Sequence, residues 1–228
     1  MPPFRSAPPP QPPADSNDWR PQQFGRGLRA SAETLVEPGW GGVRVIARFE
    51  NGRCRFSDEE GVDCSAEFND VAEALSLAAQ AEDLILDGYL TIQPTQITAG
   101  VPLSTIEAPT PGQMMASMVV GGRALRPTVS EHPLDPDRPI AFVAVDLLRI
   151  DGSTLLDVPL LERKRLLDGA LEPSERVRVT PYVREPFGSY LVSWRGLGFQ
   201  QLFFKDANSR YLPNVRNDAW AVRPMPVK

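Results

Sequence analysis

Apolar and polar residues alternate in short blocks along the chain, and the period of each block assigns it to strand or helix. Val43 to Glu50 reads as a strand, Asn51-Gly52 as a tight hairpin turn, and Arg53 to Ser57 as the partner strand. Asp70 to Ala81 carries Val71, Ala74, Leu75 and Ala78 at helical spacing, with Asn69 or Asp70 as the expected N-cap. Leu84 to Ile92 and Ile140 to Ile150 are further strands, the latter ended by the turn pair Asp151-Gly152. Leu160 to Leu167, opened by Pro159, reads as an amphipathic helix with Lys164 on its solvent side. Val177 to Val183, Gln200 to Lys205 and Trp220 to Arg223 complete the strands. Strands in several places with scattered helices and no internal repeat predict one α+β domain.

Composition changes this picture mainly at the N-terminus. Residues 1–28 hold Pro8-Pro9-Pro10 and Pro12-Pro13 followed by polar residues and glycine, too little apolar surface to offset the entropy of ordering. They are expected to form a disordered proline-rich tail, a candidate contact for a protein partner, with the folded domain spanning 29–228. With 228 residues, 42% apolar and 23% charged, the chain is large enough for a well-buried core. It has no apolar run long enough to span a bilayer and no apolar leader, so the expectation is a cytoplasmic protein without membrane contact.

The formal net charge of −5 argues against nucleic acid as the partner, because duplex binding is driven by phosphate neutralisation and usually needs a basic surface. Cys54 and Cys64 read as two reduced thiols near the hairpin, since two ligands without a nearby histidine make a poor zinc site. No metal site is expected. The only histidine, His132, lies in a loop-like Ser-Glu-His-Pro-Leu-Asp-Pro-Asp stretch with no nucleophile beside it.

Several short motifs then line up in order. Glu37-Pro38-Gly39-Trp40-Gly41-Gly42-Val43-Arg44 resembles the first motif of ATP-dependent DNA ligases, Glu-Pro-Lys-Trp-Asp-Gly-Val-Arg. Leu86-Asp87-Gly88-Tyr89-Leu90 resembles the third, Leu-Asp-Gly-Glu-Leu. Val145-Asp146-Leu147-Leu148 resembles Phe-Asp-Leu-Leu, and Leu155 to Leu167 the segment that follows it. Gln200 to Lys205 stands where the family has Glu-Gly-Val-Val-x-Lys, and Asn208 to Pro213 and Ala219 to Pro224 resemble the last segments. The resemblance covers residues 35–224. It implies the nucleotidyltransferase fold of the ligase adenylation domain, ATP-grasp-like, with two mostly antiparallel sheets flanked by helices.

In that family a lysine amine attacks the α-phosphate of ATP to form a lysyl-adenylate. The resemblance places Gly39 at the nucleophile and Gly41 at the neighbouring aspartate, so the catalytic residue is missing. Tyr89 and Gln200 replace carboxylates that bind ribose or hold the metal, and a phenol or amide is a poor ligand for magnesium. Glu59 stands where an arginine follows the hairpin, Val145 where an aromatic ring stacks on adenine, and Ala221 where the last strand supplies a lysine. Arg44, Lys205 and Arg223 remain as possible binders of a phosphate group, or as partners for Glu37 and nearby acids. Glu37, Gly42, Asp87, Gly88, Asp146, Tyr211 and Pro213 are retained and can serve the fold without a substrate. The chain reaches Lys228 soon after the last strand, so the family's OB-fold domain is expected to be absent.

Three readings follow. The first is a catalytically inactive ligase-like protein acting as a binding or scaffolding module, linked to DNA repair. The second is a divergent ligase or nucleotidyltransferase that uses ATP and magnesium. The third is a nucleotide or phosphate binder without chemistry. No cofactor is expected under the first.

Overall fold

The computed structural model describes residues 19–28, 30–92 and 140–226. Pro8 to Pro13 and the His132 loop lie outside them.

The hairpin falls where the pattern placed it. Strand β3 (Val43–Glu50) and β4 (Arg53–Ser57) meet at Asn51-Gly52, whose φ values of 53° and 74° are those of a type I′ turn, the hand that matches strand twist. Strand β5 (Asp83–Thr91) pairs antiparallel with β3 and with β6 (Ala141–Ile150), which turns at Asp151-Gly152 into the short β7 (Ser153–Thr154). Strand β8 (Val177–Val179) joins β6 in parallel, completing a six-stranded sheet with its main path β4-β3-β5-β6-β7.

A second sheet of four strands has the order β1-β10-β9-β2, from β1 (Gln23–Gly25), β2 (Thr34–Pro38), β9 (Gln201–Asp206) and β10 (Arg216–Pro224). The helices are α1 (Asn69–Ala78), α2 (Leu160–Ala170) and α3 (Gly188–Gly196). The expected α+β architecture, with two mostly antiparallel sheets and few helices, is therefore the observed one.

One face of the larger sheet packs on α1 and part of α2, through Val45, Ala47, Leu84 and Phe142 against Val71, Leu75 and Leu167. Its other face meets the smaller sheet through two further clusters. One joins Ile46, Ile85 and Leu148 to Leu35, Tyr211 and Trp220; the other joins Tyr89, Val143 and Val145 to Val36, Leu202 and Phe203. The core is thus three apolar clusters, and the ion pairs buried in it are Arg44 with Asp87, Arg163 with Asp146, and Glu37 with both Lys164 and Lys205.

Several boundaries differ from expectation. Residues 19–28 are not all tail: Trp19 and Gln22 are buried, and β1 pairs in parallel with β10. The pairing with β10 gives Gln23 to Gly25 the strand neighbour that their own composition did not suggest. Neither Asn69 nor Asp70 caps α1; the N-cap position is Phe68, with no side-chain hydrogen bond. Asp70 sits in the first turn, where its carboxylate favours the positive helix end and pairs with Arg176. The segment expected as strand from Val177 to Val183 stops at Val179, before Pro181, which cannot donate to a ladder; Val183 then bridges Val36. Strands β1, β2 and β7 and helix α3 were not anticipated.

Candidate functional site

The positions that the ligase motifs single out lie around the space between the two sheets. Trp40, Tyr89 and Val145 are buried there among Val143, Trp194, Phe199, Leu202 and Phe203. Tyr89 stacks on Phe203 with ring centroids 5.9 Å apart and planes at 29°. Phe24 of β1 lies against Phe203 at 4.8 Å and against Trp220 at 5.7 Å. Trp40 meets Phe199 edge to face at 4.9 Å, and its indole N–H donates to Thr180 Oγ1 at 2.7 Å. Helix α3 contributes Trp194, its one buried residue. Aromatic side chains occupy the inter-sheet space at contact distance, so this region is core.

Gly39 closes that space from the side of β2. Its N–H donates to the Gln201 carbonyl at 2.8 Å. A Cβ built on Gly39 would stand 2.7 Å from both the carbonyl carbon and the Cβ of Gln201, closer than any non-bonded carbon pair tolerates. Glycine here is required by the approach of β9, whatever its loss means for chemistry. Gly42 is held for a different reason, at φ 115° with the Leu90 carbonyl oxygen 2.1 Å from where a Cβ would stand.

The charged residues retained from the motifs form closed pairs. Arg44 donates Nε to Asp87 Oδ1 at 3.0 Å and Nη2 to Asp87 Oδ2 at 2.6 Å, a bidentate fork. Its Nη1 donates to the Gln22 carbonyl at 2.8 Å, and Tyr211 donates its hydroxyl to Asp87 Oδ2 at 2.9 Å. Arg163 makes the same fork on Asp146, at 2.8 and 2.7 Å, with a further bond to the Ser209 carbonyl. Glu37 sits between two lysines: Lys164 Nζ lies 2.6 Å from Oε1 and Lys205 Nζ 2.7 Å from Oε2. Lys205 also lies 4.1 Å from the centroid of the Trp220 ring.

Glu37, Lys164 and Lys205 are fully buried, and so are Asp146 and Arg163. Burial pushes the Lys205 ammonium down to about 8; Glu37 opposes the shift and Lys164 adds to it. Burial likewise raises the Tyr89 phenol, which stays neutral at physiological pH. The node of one carboxylate and two amines carries excess positive charge when both amines are protonated.

Lys164 is therefore not on a solvent face. Residues 160, 163, 164 and 167 follow the i, i+3, i+4, i+7 stripe, so the spacing that put Leu160 and Leu167 inward puts Arg163 and Lys164 inward too. That signal was present in the sequence but masked by residue type. Gln22 had no such signal. Its backbone N–H donates to Tyr211 Oη, and its Oε1 accepts from Leu212 N at 2.8 Å and Asn217 Nδ2 at 3.1 Å.

The remaining motif positions are more scattered. Glu59 is exposed but within electrostatic reach of Arg44 and Asp87, and burial raises its carboxyl while Arg44 opposes the shift. Gln200 is exposed and donates to the Gly198 carbonyl at 3.4 Å. Gly41 and Ala221 are buried, Ala221 opposite Phe204. Arg223 is exposed and donates to the Leu28 carbonyl at 3.0 Å. Arg44 and Lys205 thus border the inter-sheet space with their donors engaged by Asp87, Gln22 and Glu37, while Arg223 points elsewhere. Cys54 and Cys64 are free thiols; burial raises both, Cys64 to about 12.

A family model for the ATP dependent DNA ligase domain matches residues 26–221. The chain is 25% identical over 199 residues to DNA ligase 4 of Kluyveromyces lactis, covering 82% of this chain and 21% of that protein. It is 27% identical over 199 residues to the multifunctional non-homologous end joining DNA repair protein LigD of Mycobacterium tuberculosis, covering 85% and 22%. The crystal structure of the M. tuberculosis LigD ligase domain superposes with a TM-score of 0.62 at 20% identity, over 92% of this chain and 60% of that one. A mycobacterial DNA ligase D complexed with ATP and MES gives 0.62 at 22% identity, over 91% and 60%. The chain spans about a fifth of the length of these two curated relatives. No helix among the described residues is long and apolar enough to cross a membrane.

Proposed function

Since the chain belongs to the ATP-dependent DNA ligase domain family, we propose that it is a catalytically silent member which acts as a protein-binding or scaffolding module in DNA repair. The observation that carries this reading is the closed inter-sheet space. At the nucleophile's position Gly39 has the Gln201 backbone where a side chain would start, and Tyr89, Val145 and Phe203 fill the space beside it. The residues present do not fit ATP and magnesium: the position of a metal-binding carboxylate is a phenol in an apolar cluster, and that of the second is an exposed amide. Arg44 is neutralised by Asp87, and the Lys205 amine is fully buried on Glu37, which leaves them little to offer a phosphate.

Of the chain's three lysines, Lys164 and Lys205 lie in the interior. Both amines are fully buried against Glu37, and an attacking amine must reach its substrate. Incubation with α-labelled ATP and magnesium is expected to leave the protein unlabelled. An acid-labile labelled adduct would establish the divergent-enzyme reading instead. A DNA-repair setting is suggested by the name of the LigD relative, and co-purification with repair proteins from the native host tests it.

A further inference from the structure

Two turns of the larger sheet have the same shape and different chemistry. Asn51-Gly52 joins β3 to β4 with φ values of 53° and 74°, and Asp151-Gly152 joins β6 to β7 with 45° and 76°. All four residues are exposed, and nothing lies within 4 Å of a Cβ built on either glycine. The Asp151 turn is tied at both residues. Asp151 Oδ1 accepts from Glu82 N at 2.8 Å, and Gly152 N–H donates to Asp83 Oδ2 at 2.7 Å. At the Asn51 turn no hydrogen bond among the described residues holds the side-chain amide or the Gly52 N–H.

Asn51-Gly52 is also the one Asn-Gly pair in the chain. The amide carbon Cγ of an asparagine is an electrophile, and the backbone nitrogen of the next residue can reach it to close a five-membered ring. Glycine leaves that nitrogen uncrowded, since it has no side chain beside it. An ionised aspartate, the form present at neutral pH, is the poorer electrophile.

We propose that Asn51 is a modification site, at which Gly52 N attacks Asn51 Cγ and water completes the conversion to aspartate and isoaspartate. The N–Cγ bond forms, the Gly52 amide proton passes through solvent to the departing nitrogen, and ammonia leaves a succinimide behind. Water then adds to one of the two ring carbonyls. Addition at Cγ breaks the new bond and gives aspartate. Addition at the Asn51 carbonyl carbon breaks the original peptide bond and gives isoaspartate, linked through its side chain. Either product adds one negative charge beside Glu50.

The fold sets the rate. In a type I′ turn the first central residue has ψ of about +30°, which holds the following nitrogen nearly opposite the side chain. The ring therefore closes only after the tip leaves that turn. Asn51 and Gly52 are the two hairpin residues outside the ladder, where local opening costs far less than unfolding. At Asp151 the two side-chain bonds resist the same motion. Isoaspartate puts an extra carbon into a two-residue loop whose length fixes the register of Glu50 on Arg53 and Phe49 on Cys54. Strand β4 is held against slipping by Cys54 N–H on Ser76 Oγ and Phe56 N–H on Ser65 Oγ, so the strain falls on the tip. None of this depends on whether the inter-sheet space is silent.

The test ages the full chain at mildly alkaline pH and maps its tryptic peptides by mass spectrometry. Labelled S-adenosylmethionine with an isoaspartyl methyltransferase tags isoaspartate. Peptide Phe49–Arg53 should show the mass gain of an amide-to-acid exchange and accept the methyl label, while Ile150–Arg163 should do neither. Conversion should quicken several-fold as pH rises, because attack needs the Gly52 nitrogen deprotonated, and again in urea, which releases the turn. Asn51→Gly keeps a pair suited to a type I′ turn and has no amide to lose, so it should melt like the parent and leave Phe49–Arg53 unlabelled. The proposal is overturned if Phe49–Arg53 stays unchanged in the folded chain while a free peptide of the same sequence converts. It is equally overturned if Asn51→Gly takes as much label there as the parent, or if Asp151 converts as fast as Asn51. An unchanged rate in urea would overturn the gating by the turn.

Discussion

Restoring the lysine at Gly39 should damage the fold and return no activity. A Cβ at this position meets the Gln201 carbonyl carbon and Cβ at 2.7 Å and the carbonyl oxygen at 2.8 Å. Carbon atoms pack best at about 3.5–4.0 Å, so β9 would have to retreat by roughly 1 Å at a point where backbone, not a flexible side chain, is in the way. The Gly39 N–H···O bond of 2.8 Å and the adjacent Pro38–Leu202 pair would be strained with it. Overpacking of this kind costs about 1–3 kcal/mol. For a chain of this length that lowers the melting temperature by roughly 2–10 °C. Four tryptophans, all buried, report unfolding by fluorescence. Gly39→Ala separates the two effects, because it adds the Cβ without the amine and should carry most of the same cost. Parent-like melting in both variants would refute the steric reasoning. Robust labelling of Gly39→Lys by α-labelled ATP would refute the closed-site reading as well.

Other outcomes follow from the buried charges and the aromatic layer. Glu37→Gln leaves two buried amines without a counter-charge and should cost about 3–5 kcal/mol in urea unfolding; a loss under 1 kcal/mol would show that water reaches the node. Lys205 releases its proton near pH 8 when folded, but near 10.4 when unfolded. Between those values the unfolded chain holds more protons, so this residue's contribution to stability is least below pH 8 and improves as pH rises towards 10. Lys205→Met should flatten that slope, which paired unfolding curves across the window would reveal. Phe203→Ala removes the ring between Tyr89 and Phe24 and should cost about 3–5 kcal/mol. Calorimetry should still register no ATP binding at millimolar ligand, since Arg44 and Lys205 keep their partners; an ATP isotherm would show that the aromatic layer alone excludes nucleotide.

The readable parts of the fold were those set by local chemistry. The β3–β4 hairpin could be placed to the residue because Asn51-Gly52 selects its turn and the flanking alternation sets its faces. Helix α3 was hidden because it starts and ends on glycine, carries Tyr190 and Val192 exposed, and is anchored by Trp194 alone. Strand β1 is three residues long and owes its existence to β10, almost the whole chain away. At the site, substitution by residue type identified Gly39, Tyr89 and Val145, and all three border the closed space. Which residue fills it was not legible, because Phe203 stands at a valine of the Glu-Gly-Val-Val-x-Lys segment, Trp194 lies outside every motif, and their meeting depends on two sheets closing. The partners of the buried acids were obscured in the same way: Lys164 obeyed its helical stripe but violated the expectation that lysine faces water.

The order of strands along the chain has a consequence for assembly. The larger sheet draws on one continuous span, residues 43–179, whereas the smaller one takes β1 and β2 from the beginning and β9 and β10 from the end. As the ribosome delivers the N-terminus first, β2 must wait for β9 before it has a neighbour on its own sheet. Until then Glu37 has neither Lys205 nor a lid of apolar side chains, and it remains a hydrated carboxylate. During synthesis, pairing of β2 with β9, and with it the contact of Glu37 with Lys205, can form only after residue 205 has emerged. A nascent chain arrested before residue 201 should therefore expose that edge to chaperones, and release of the remaining residues should end their hold.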